Sequence, residues 1–352
     1  MAKLKIAVIG VGNIAQVHIA AYLKNPNIEL YAFCDIREER LREMGKLYNV
    51  TRLFTNKDEM LKLPEIDAVS VCTWNSEHAP CTIAALNAGK HVLCEKPMAT
   101  NVEDAIKMKE AAEKNGKLLM IGFVRRFGSD CDVIRDFNSI DYLGDIYYAK
   151  ATYLRRNGNP GGWFGDKSRS AGGPLIDLGV HVIDFTRFVM GNPKPVSVYG
   201  ATFRKLYDRR NLKTQKEYTS SAKEPDDICD VEDLATALIR YDNGAVLSVE
   251  ASFSLNIKKD LGRIEFFGTK GGAKFEPDLE MYTEINGYMA DVKLDAKTSR
   301  DFDGLFEHEI DHFIDCILNG TKCLSPAQDG IEIMKILMAV YKSAETGHEV
   351  TL

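Results

Sequence analysis

The sequence predicts an α/β chain in two parts: a doubly wound parallel sheet, then an α+β domain built on an antiparallel sheet. Three observations carry this. Over the first ~120 residues strand and helix patterns alternate, the arrangement that yields parallel strands. A glycine-rich turn, Gly10-Val11-Gly12-Asn13-Ile14-Ala15, leads out of the first strand run. From Val196 onward strand patterns follow one another without intervening helices, which favours antiparallel pairing.

In chain order, Leu4 to Ile9 reads as a strand and Asn13 to Leu23 as a helix. Glu29 to Cys34 is the second strand, followed by a charged helix from Arg37 to Tyr48. Asp67 to Cys72 and His91 to Glu95 are further strands, each leading into a helix, and Leu118 to Gly122 closes the parallel unit. A helix at Asp130 to Phe137 and a strand at Ile146 to Leu154 open the second part. Gly172-Gly173-Pro174 starts a long apolar helix, Leu175 to Met190. Strands are expected at Val196 to Phe203, Leu234 to Tyr241, Ala245 to Phe253 and Arg263 to Gly268. Asp242-Asn243-Gly244 makes a hairpin between two of them, because Asn-Gly accepts the positive φ of such turns. Helices at Phe306 to Leu318 and Ala327 to Ser343 end the chain. The domains expected are residues 1–124 and 125–352, with the terminal helices packing back on the first.

Composition narrows the function classes. At 352 residues two domains are the prior, and 45% apolar with 27% charged residues is ordinary for a soluble globular protein. A net charge of −6 argues against a nucleic-acid partner. No apolar run reaches membrane-spanning length and no secretory leader precedes the first strand, so a cytoplasmic protein without membrane contact is expected. The eight cysteines, at 34, 72, 81, 94, 131, 229, 316 and 323, form no CxxC pair. Neither a disulfide framework nor a metal centre is expected from them. Arg204 to Lys223 is a polar stretch with seven Lys or Arg, readable as a solvated loop, an oligomer contact or a lid.

The glycine turn carries the cofactor argument. Gly10-x-Gly12-x-x-Ala15, after a strand and before a helix, is a dinucleotide (Rossmann) fingerprint. Gly10 permits the tight turn, Gly12 admits the pyrophosphate to the backbone, and Ala15 keeps helix and strand close. The pyrophosphate then rests on the helix N-terminus, at Asn13 and Ile14. Asp35 ends the second strand, where its carboxylate accepts from the ribose hydroxyls and repels a 2′-phosphate. NAD is therefore expected, with NADP possible because Arg37 lies two residues on. Thr73-Trp74-Asn75 and Glu95-Lys96 follow strands and border the ligand crevice of such a sheet. With His78 they complete the expected cofactor set.

Lys96 precedes Pro97, which makes that bond a candidate cis peptide and pushes the Lys96 backbone out of the helical region. Asp177 and His181 are four apart on an apolar helix and share a face, which Asp184 extends. Such a stripe also occurs as a buried structural pair. A carboxylate one turn from an imidazole, however, fixes its tautomer and favours its protonated form, which suits a proton shuttle.

These segments resemble the glucose-fructose oxidoreductase, inositol dehydrogenase and MocA family of NAD(P)-dependent sugar dehydrogenases. The resemblance runs nearly end to end. It rests on Gly10-x-Gly12-x-x-Ala15, Glu95-Lys96-Pro97, Gly122-Phe123-x-x-Arg126-Phe127 and Gly172-Gly173-x-Leu175-x-Asp177-x-Gly179-x-His181-x-x-Asp184. It implies Lys96, Asp177 and His181 as the catalytic trio and Arg126 at the substrate. It also implies an open, mainly antiparallel sheet in the second domain that makes an oligomer interface, giving a homodimer or homotetramer. One departure bears on substrate. Where inositol dehydrogenases carry a polyol-binding acid, this chain has Arg155-Arg156-Asn157, followed by an insertion, Gly158 to Phe164. Arg156, Asn157 and Trp163 become candidate substrate contacts. The arginines read an acidic substituent or cover the rim; Trp163 stacks on a sugar or anchors its loop.

The function expected is reversible oxidation of a secondary alcohol on a sugar, polyol or glycoside. The alternatives are an NAD-dependent glycosidase or lyase with transient sugar oxidation, and a cofactor-sensing regulator, which the retained trio disfavours.

Overall fold

In the computed structural model of the chain, residues 3–207, 209, 212, 219–220, 227–276, 278–295 and 302–352 are described. Most of the Lys/Arg-rich stretch from 204 to 223 lies outside the described residues. Two compact units emerge: residues 1–124 with 302–334, and residues 125–301 with 335–352.

The first unit is a six-stranded parallel sheet. Its strands are β1 (Leu4–Ile9), β2 (Ile28–Cys34), β3 (Arg52–Phe54), β4 (Ala68–Val71), β5 (His91–Glu95) and β6 (Leu119–Gly122), in the order β3-β2-β1-β4-β5-β6. Every pairing is parallel. Continuous apolar runs such as Ala68–Val71 are buried at every position, as expected of strands covered on both faces. The helices are α1 (Asn13–Lys24), α2 (Glu38–Leu47), α3 (Lys57–Leu61), α4 (His78–Asn87) and α5 (Val102–Asn115). Strand order reverses between β1 and β4, which opens a crevice at the carboxyl ends of those strands. Strand β3 and helix α3 were not expected; at three and five residues they are too short to show a period.

The second unit holds α6 (Ser129–Ser139), α7 (Lys167–Ser170) and α8 (Val180–Val189) over a nine-stranded sheet. Its strands are β7 (Ile146–Leu154), β8 (Pro195–Phe203), β9 (Leu234–Tyr241), β10 (Val246–Ser252), β11 (Leu261–Gly268), β12 (Gly271–Phe275), β13 (Leu279–Ile285), β14 (Tyr288–Val292) and β15 (Val350–Thr351). The order is β14-β13-β12-β11-β7-β10-β9-β8-β15. Only β7 and β10 pair in parallel, so the open, mainly antiparallel sheet is as expected. Register sets the core. Val198, Ile239, Leu247, Ala149, Phe266, Ala273 and Met281 lie side by side across seven strands. None is more than 2% exposed. A one-residue slip would turn that row to the opposite face. The hairpin at Gly244 has φ +84°.

Two more helices, α9 (Phe302–Asn319) and α10 (Ala327–Thr346), close the chain. Helix α9 belongs to the first unit, where Asn25 donates to Asp311 and Lys24 pairs with Glu307 at the end of α1. The division between units falls inside α10, after Met334. Among the described residues no helix is long and apolar enough to cross a membrane.

The expected helix from Leu175 is not uniform. It opens with a π-helical turn, Leu175–Gly179, before α8 begins. Its N-terminal amides are held by a buried acid: Gly173 and Leu175 donate to Glu232 at 3.0 and 3.2 Å, and the Tyr341 hydroxyl donates at 2.8 Å. A Cβ at Gly172 would overlap that hydroxyl, so the glycine is fixed by close approach. Further along, Asp184 (1% exposed) receives Arg126 (1% exposed) in a two-pronged pair, Nε at 2.9 Å and Nη2 at 2.5 Å. The Arg126 guanidinium also lies 4.4 Å over the Phe188 ring.

A buried charge without its partner is costly. Arg126→Met is expected to destabilise the protein by about 3–5 kcal/mol in urea unfolding, because the buried Asp184 loses its guanidinium. Arg126→Met/Asp184→Leu should recover most of the loss. A double variant as unstable as the single one would show that packing, not charge, sets the effect.

Candidate active site

The first unit supplies the cofactor cradle. Gly10 has φ +82°, and a Cβ there would meet the Cys72 carbonyl at 2.7 Å. A Cβ at Gly12 would meet nothing within 4 Å, so the space beside that backbone suits a phosphate. Gly12 is the N-cap of α1 and provides no side-chain cap to its amides, leaving Asn13 and Ile14 at an anion-favouring helix start.

Asp35 does more than the fingerprint demands. Its Oδ2 accepts from Val11 N (2.9 Å) and its Oδ1 from Arg37 N (2.8 Å). The carboxylate thus fixes the glycine turn and its own loop, and keeps lone pairs for ribose hydroxyls. The Arg37 Nε stands 3.6 Å from Oδ1.

At the end of β4, the Thr73 hydroxyl oxygen is buried and has no protein hydrogen-bond partner. Trp74 is half-buried and Asn75 buried. Among these expected cofactor residues, His78 differs. It is 1% exposed, with Nδ1 2.7 Å from the Pro97 carbonyl and Nε2 3.1 Å from the Thr73 carbonyl. Burial pushes its pKa below the ordinary value, only partly offset by the Pro97 carbonyl. His78 braces the loops after β4 and β5 rather than presenting its ring to a ligand.

Behind β5 lies a buried polar chain that pattern reading missed. His18 Nε2 donates to Glu95 Oε1 at 2.7 Å, and Lys96 N donates to Glu95 Oε2 at 3.1 Å. On its other side His18 Nδ1 faces Ser70 Oγ (3.5 Å), which Tyr22 contacts at 2.8 Å. Burial alone would raise the Glu95 pKa; His18 first, then Lys96, reverse this and hold it below the carboxylate range. Glu95 is thus an ionised anchor for the Lys96 backbone. The available signal was His18 itself, an imidazole on the otherwise mostly apolar buried face of α1. The Lys96–Pro97 bond is cis, as expected, and Lys96 is half-buried.

In the second unit, every residue from Gly172 to Val189 is buried except Asp177 and His181. The acid sits in the π-helical turn and the imidazole in the first turn of α8; π-turns inside helices are frequent at functional positions. Asp184, expected to continue this face, turns instead into the core. Arg126, implied at the substrate, spends its Nε and Nη2 on Asp184 and so acts by holding α8.

Tyr153 was not anticipated. The guanidinium carbons of Arg125 and Arg155 lie 5.2 and 5.4 Å from its ring centre. Burial works to raise its pKa, but Arg125 and then Arg155 lower it overall. Arg155 itself donates to Gly158 O at 3.2 Å. Arg156 is exposed and donates to Lys258 O, while the buried Asn157 Nδ2 has no hydrogen-bond partner. Both line a groove of about 430 Å³ with Arg209, Leu255, Asn256 and Ile257. Trp163 stacks on Phe164 at 4.0 Å, leaving both readings of its role open.

A family model described as an oxidoreductase family with an NAD-binding Rossmann fold matches residues 4–123, and its C-terminal alpha/beta domain matches residues 140–352. The chain is 35% identical to D-glucoside 3-dehydrogenase of Escherichia coli K12, over 99% of this chain and 97% of that protein. It is 28% identical to myo-inositol 2-dehydrogenase of Thermotoga maritima, over 99% and 98%. An oxidoreductase domain protein from Kribbella flavida superposes with a TM-score of 0.87 at 26% identity, covering 100% of this chain and 99% of that one. A fingerprint turn, an acid at the end of β2 and matches along both domains lead to one conclusion: the chain belongs to the glucose-fructose oxidoreductase, inositol dehydrogenase and MocA family of NAD-binding oxidoreductases.

Proposed function

We propose that this oxidoreductase oxidises a secondary hydroxyl of a sugar or glycoside, with Lys96, Asp177 and His181 as its acid–base residues. The observation that carries the reading is the window on the Gly172–Val189 segment. An acid and an imidazole one turn apart stay accessible there while everything around them is core. NAD, held by the Gly10–Ile14 turn and Asp35, would supply the hydride acceptor. His181 takes the hydroxyl proton, Asp177 holds the imidazole in the receptive tautomer, and the Lys96 ammonium stabilises the developing alkoxide. Similarity over the full length to a D-glucoside 3-dehydrogenase supports a D-glucoside as substrate and its 3-hydroxyl as the reacting group. Asn157, Arg156 and Trp163 are the candidate contacts to the rest of the sugar.

The cofactor set in this reading is Gly10, Gly12, Asn13 and Ile14 at the pyrophosphate and Asp35 with Arg37 at the ribose. Thr73, Trp74, Asn75, Glu95 and Lys96 serve the nicotinamide half. The residues from 125 onward form the substrate and oligomer part. Tyr199 and Leu238 are neighbours on β8 and β9 and are 52% and 50% exposed, which supports a homodimer or homotetramer contact on that sheet face. The eight free cysteines, five of them buried, support a reducing compartment such as the cytoplasm.

Purified protein assayed with NAD against a panel of glucosides, free sugars and inositols tests the reading. Stoichiometric NADH formation with a glucoside is expected; no net NADH with any of them would overturn it. Two variants sharpen the test. Asp35→Ser should weaken NAD and relatively favour NADP in steady-state kinetics, with a lower Tm because the turn loses its anchor. An unaltered NAD to NADP ratio would remove Asp35 from the ribose. Lys96→Ala should keep NAD affinity while kcat falls on the order of 10²-fold or more; near-normal turnover would demote it.

The pH profile tests His181. Oxidation needs the neutral ring and should rise with pH through an apparent pKa, while the reverse reaction needs the protonated ring and should fall through a similar one. In Asp177→Asn the inflection should move to lower pH, because removing a neighbouring anion disfavours the charged imidazole. The inflection belongs to the coupled group rather than to one residue. The same profile and turnover in His181→Ala would take the histidine out of the chemistry.

A further inference from the structure

Helix α9 and the segment after it bring together three side chains that the reaction does not use: His312, Cys316 and Cys323. Their donor atoms all lie within 4.8 Å of one another. Cys316 Sγ is 3.4 Å from His312 Nε2. That separation is informative, because a sulfur and a nitrogen on one tetrahedral zinc, at about 2.3 and 2.0–2.1 Å, stand roughly 3.5 Å apart.

The set is held in place by groups that are not part of it. His312 and Cys316 are one turn apart on α9 and share a face. Cys323 comes from the connection to α10, which is tied down twice. Asp315 accepts from Asn319 Nδ2 at 2.6 Å and from the Thr321 hydroxyl. Farther on, Ile121 N donates to Ser325 O at 2.9 Å, and Met120 forms a bridge with Pro326. The tautomer is also suitable. Leu324 N donates to His312 Nε2 at 3.0 Å, so that nitrogen carries a lone pair rather than a proton, the state a ligand needs. A metal takes over that lone pair in place of the Leu324 amide.

We propose that His312, Cys316 and Cys323 bind zinc or a similarly thiolate-preferring divalent cation, with three protein ligands and a fourth position for water. Two sulfurs and an imidazole suit such ions, whereas magnesium and calcium need oxygen donors. The two thiol protons leave as the metal–sulfur bonds form, so affinity falls with falling pH. Coordination staples the 320–326 segment to α9, the helix tied to the end of α1 by Lys24–Glu307 and Asn25–Asp311.

The test uses the tag-free, full-length chain, reduced and stripped with a chelator, then titrated anaerobically with Co²⁺ and afterwards with Zn²⁺. One Co²⁺ per chain is expected, with thiolate-to-cobalt charge-transfer absorption and the strong d–d bands of tetrahedral cobalt, all displaced by Zn²⁺. Cys316→Ser and Cys323→Ser should each weaken binding on the order of 10²-fold or more, with NADH binding and circular dichroism reporting that the fold is kept. Cys229→Ser, a half-exposed cysteine elsewhere, should bind as the native chain does. The native spectrum stands even if a variant fails to fold. Absence of the charge-transfer band in the native chain would overturn the proposal. So would an unchanged band in both serine variants, or a Cys316–Cys323 disulfide that forms, in a separate sample treated with oxidised glutathione, as fast with saturating Zn²⁺ as without it.

Discussion

Each unit places its chemistry-bearing residue in front of a buried, paired carboxylate, and much of the local order follows from that constraint. In the first unit Glu95 is 6% exposed at the end of β5. A carboxylate taken out of water must be matched, and His18 from α1 does so. One bond therefore ties the helix that Gly12 caps to the end of the strand that precedes Lys96. Glu95 then uses its second oxygen on the Lys96 amide, so the lysine backbone inherits the rigidity of the sheet. In the second unit Asp184 and Arg126 do the same for α8, three residues beyond His181. Pairs of this kind add little net stability over apolar residues, but they are unforgiving of misplacement. Orientation is what a proton-transfer site needs.

Much of the fold was legible because its main strands are apolar runs with clear ends. The parallel strands of the first unit are buried at nearly every position, so they read from composition alone. Strands β13 and β14 were not read, because Glu284, Tyr288 and Met289 are exposed and break the alternation. The long helix was read correctly in place but not in form. Its π-helical opening depends on Glu232 gripping two amides from 57 and 59 residues away, and no local pattern encodes that.

The site was legible unevenly for the same reason. Gly10, Gly12 and Asp35 are backbone and strand-end requirements, and those are local. The roles of Arg126 and His78 depend on which partner the fold delivers. An arginine and a histidine look equally fit for a ligand until Asp184 or the Pro97 carbonyl is found against them. The Cys316 and Cys323 pairing hid because the two are not in a CxxC spacing; the turn after α9 brings Cys323 to His312 and Cys316.

The array around Tyr153 bears on what kind of substrate the second unit suits. Arg125 and Arg155 flank its ring, and the Arg155 charge is favoured by Tyr153 first and then by Asp177, against the opposing effect of burial. The guanidinium of Arg155 is also spent on a main-chain carbonyl and the Tyr153 hydroxyl. A phosphorylated substrate would have to compete with these contacts for the Arg155 guanidinium, whereas a sugar hydroxyl asks for no such exchange.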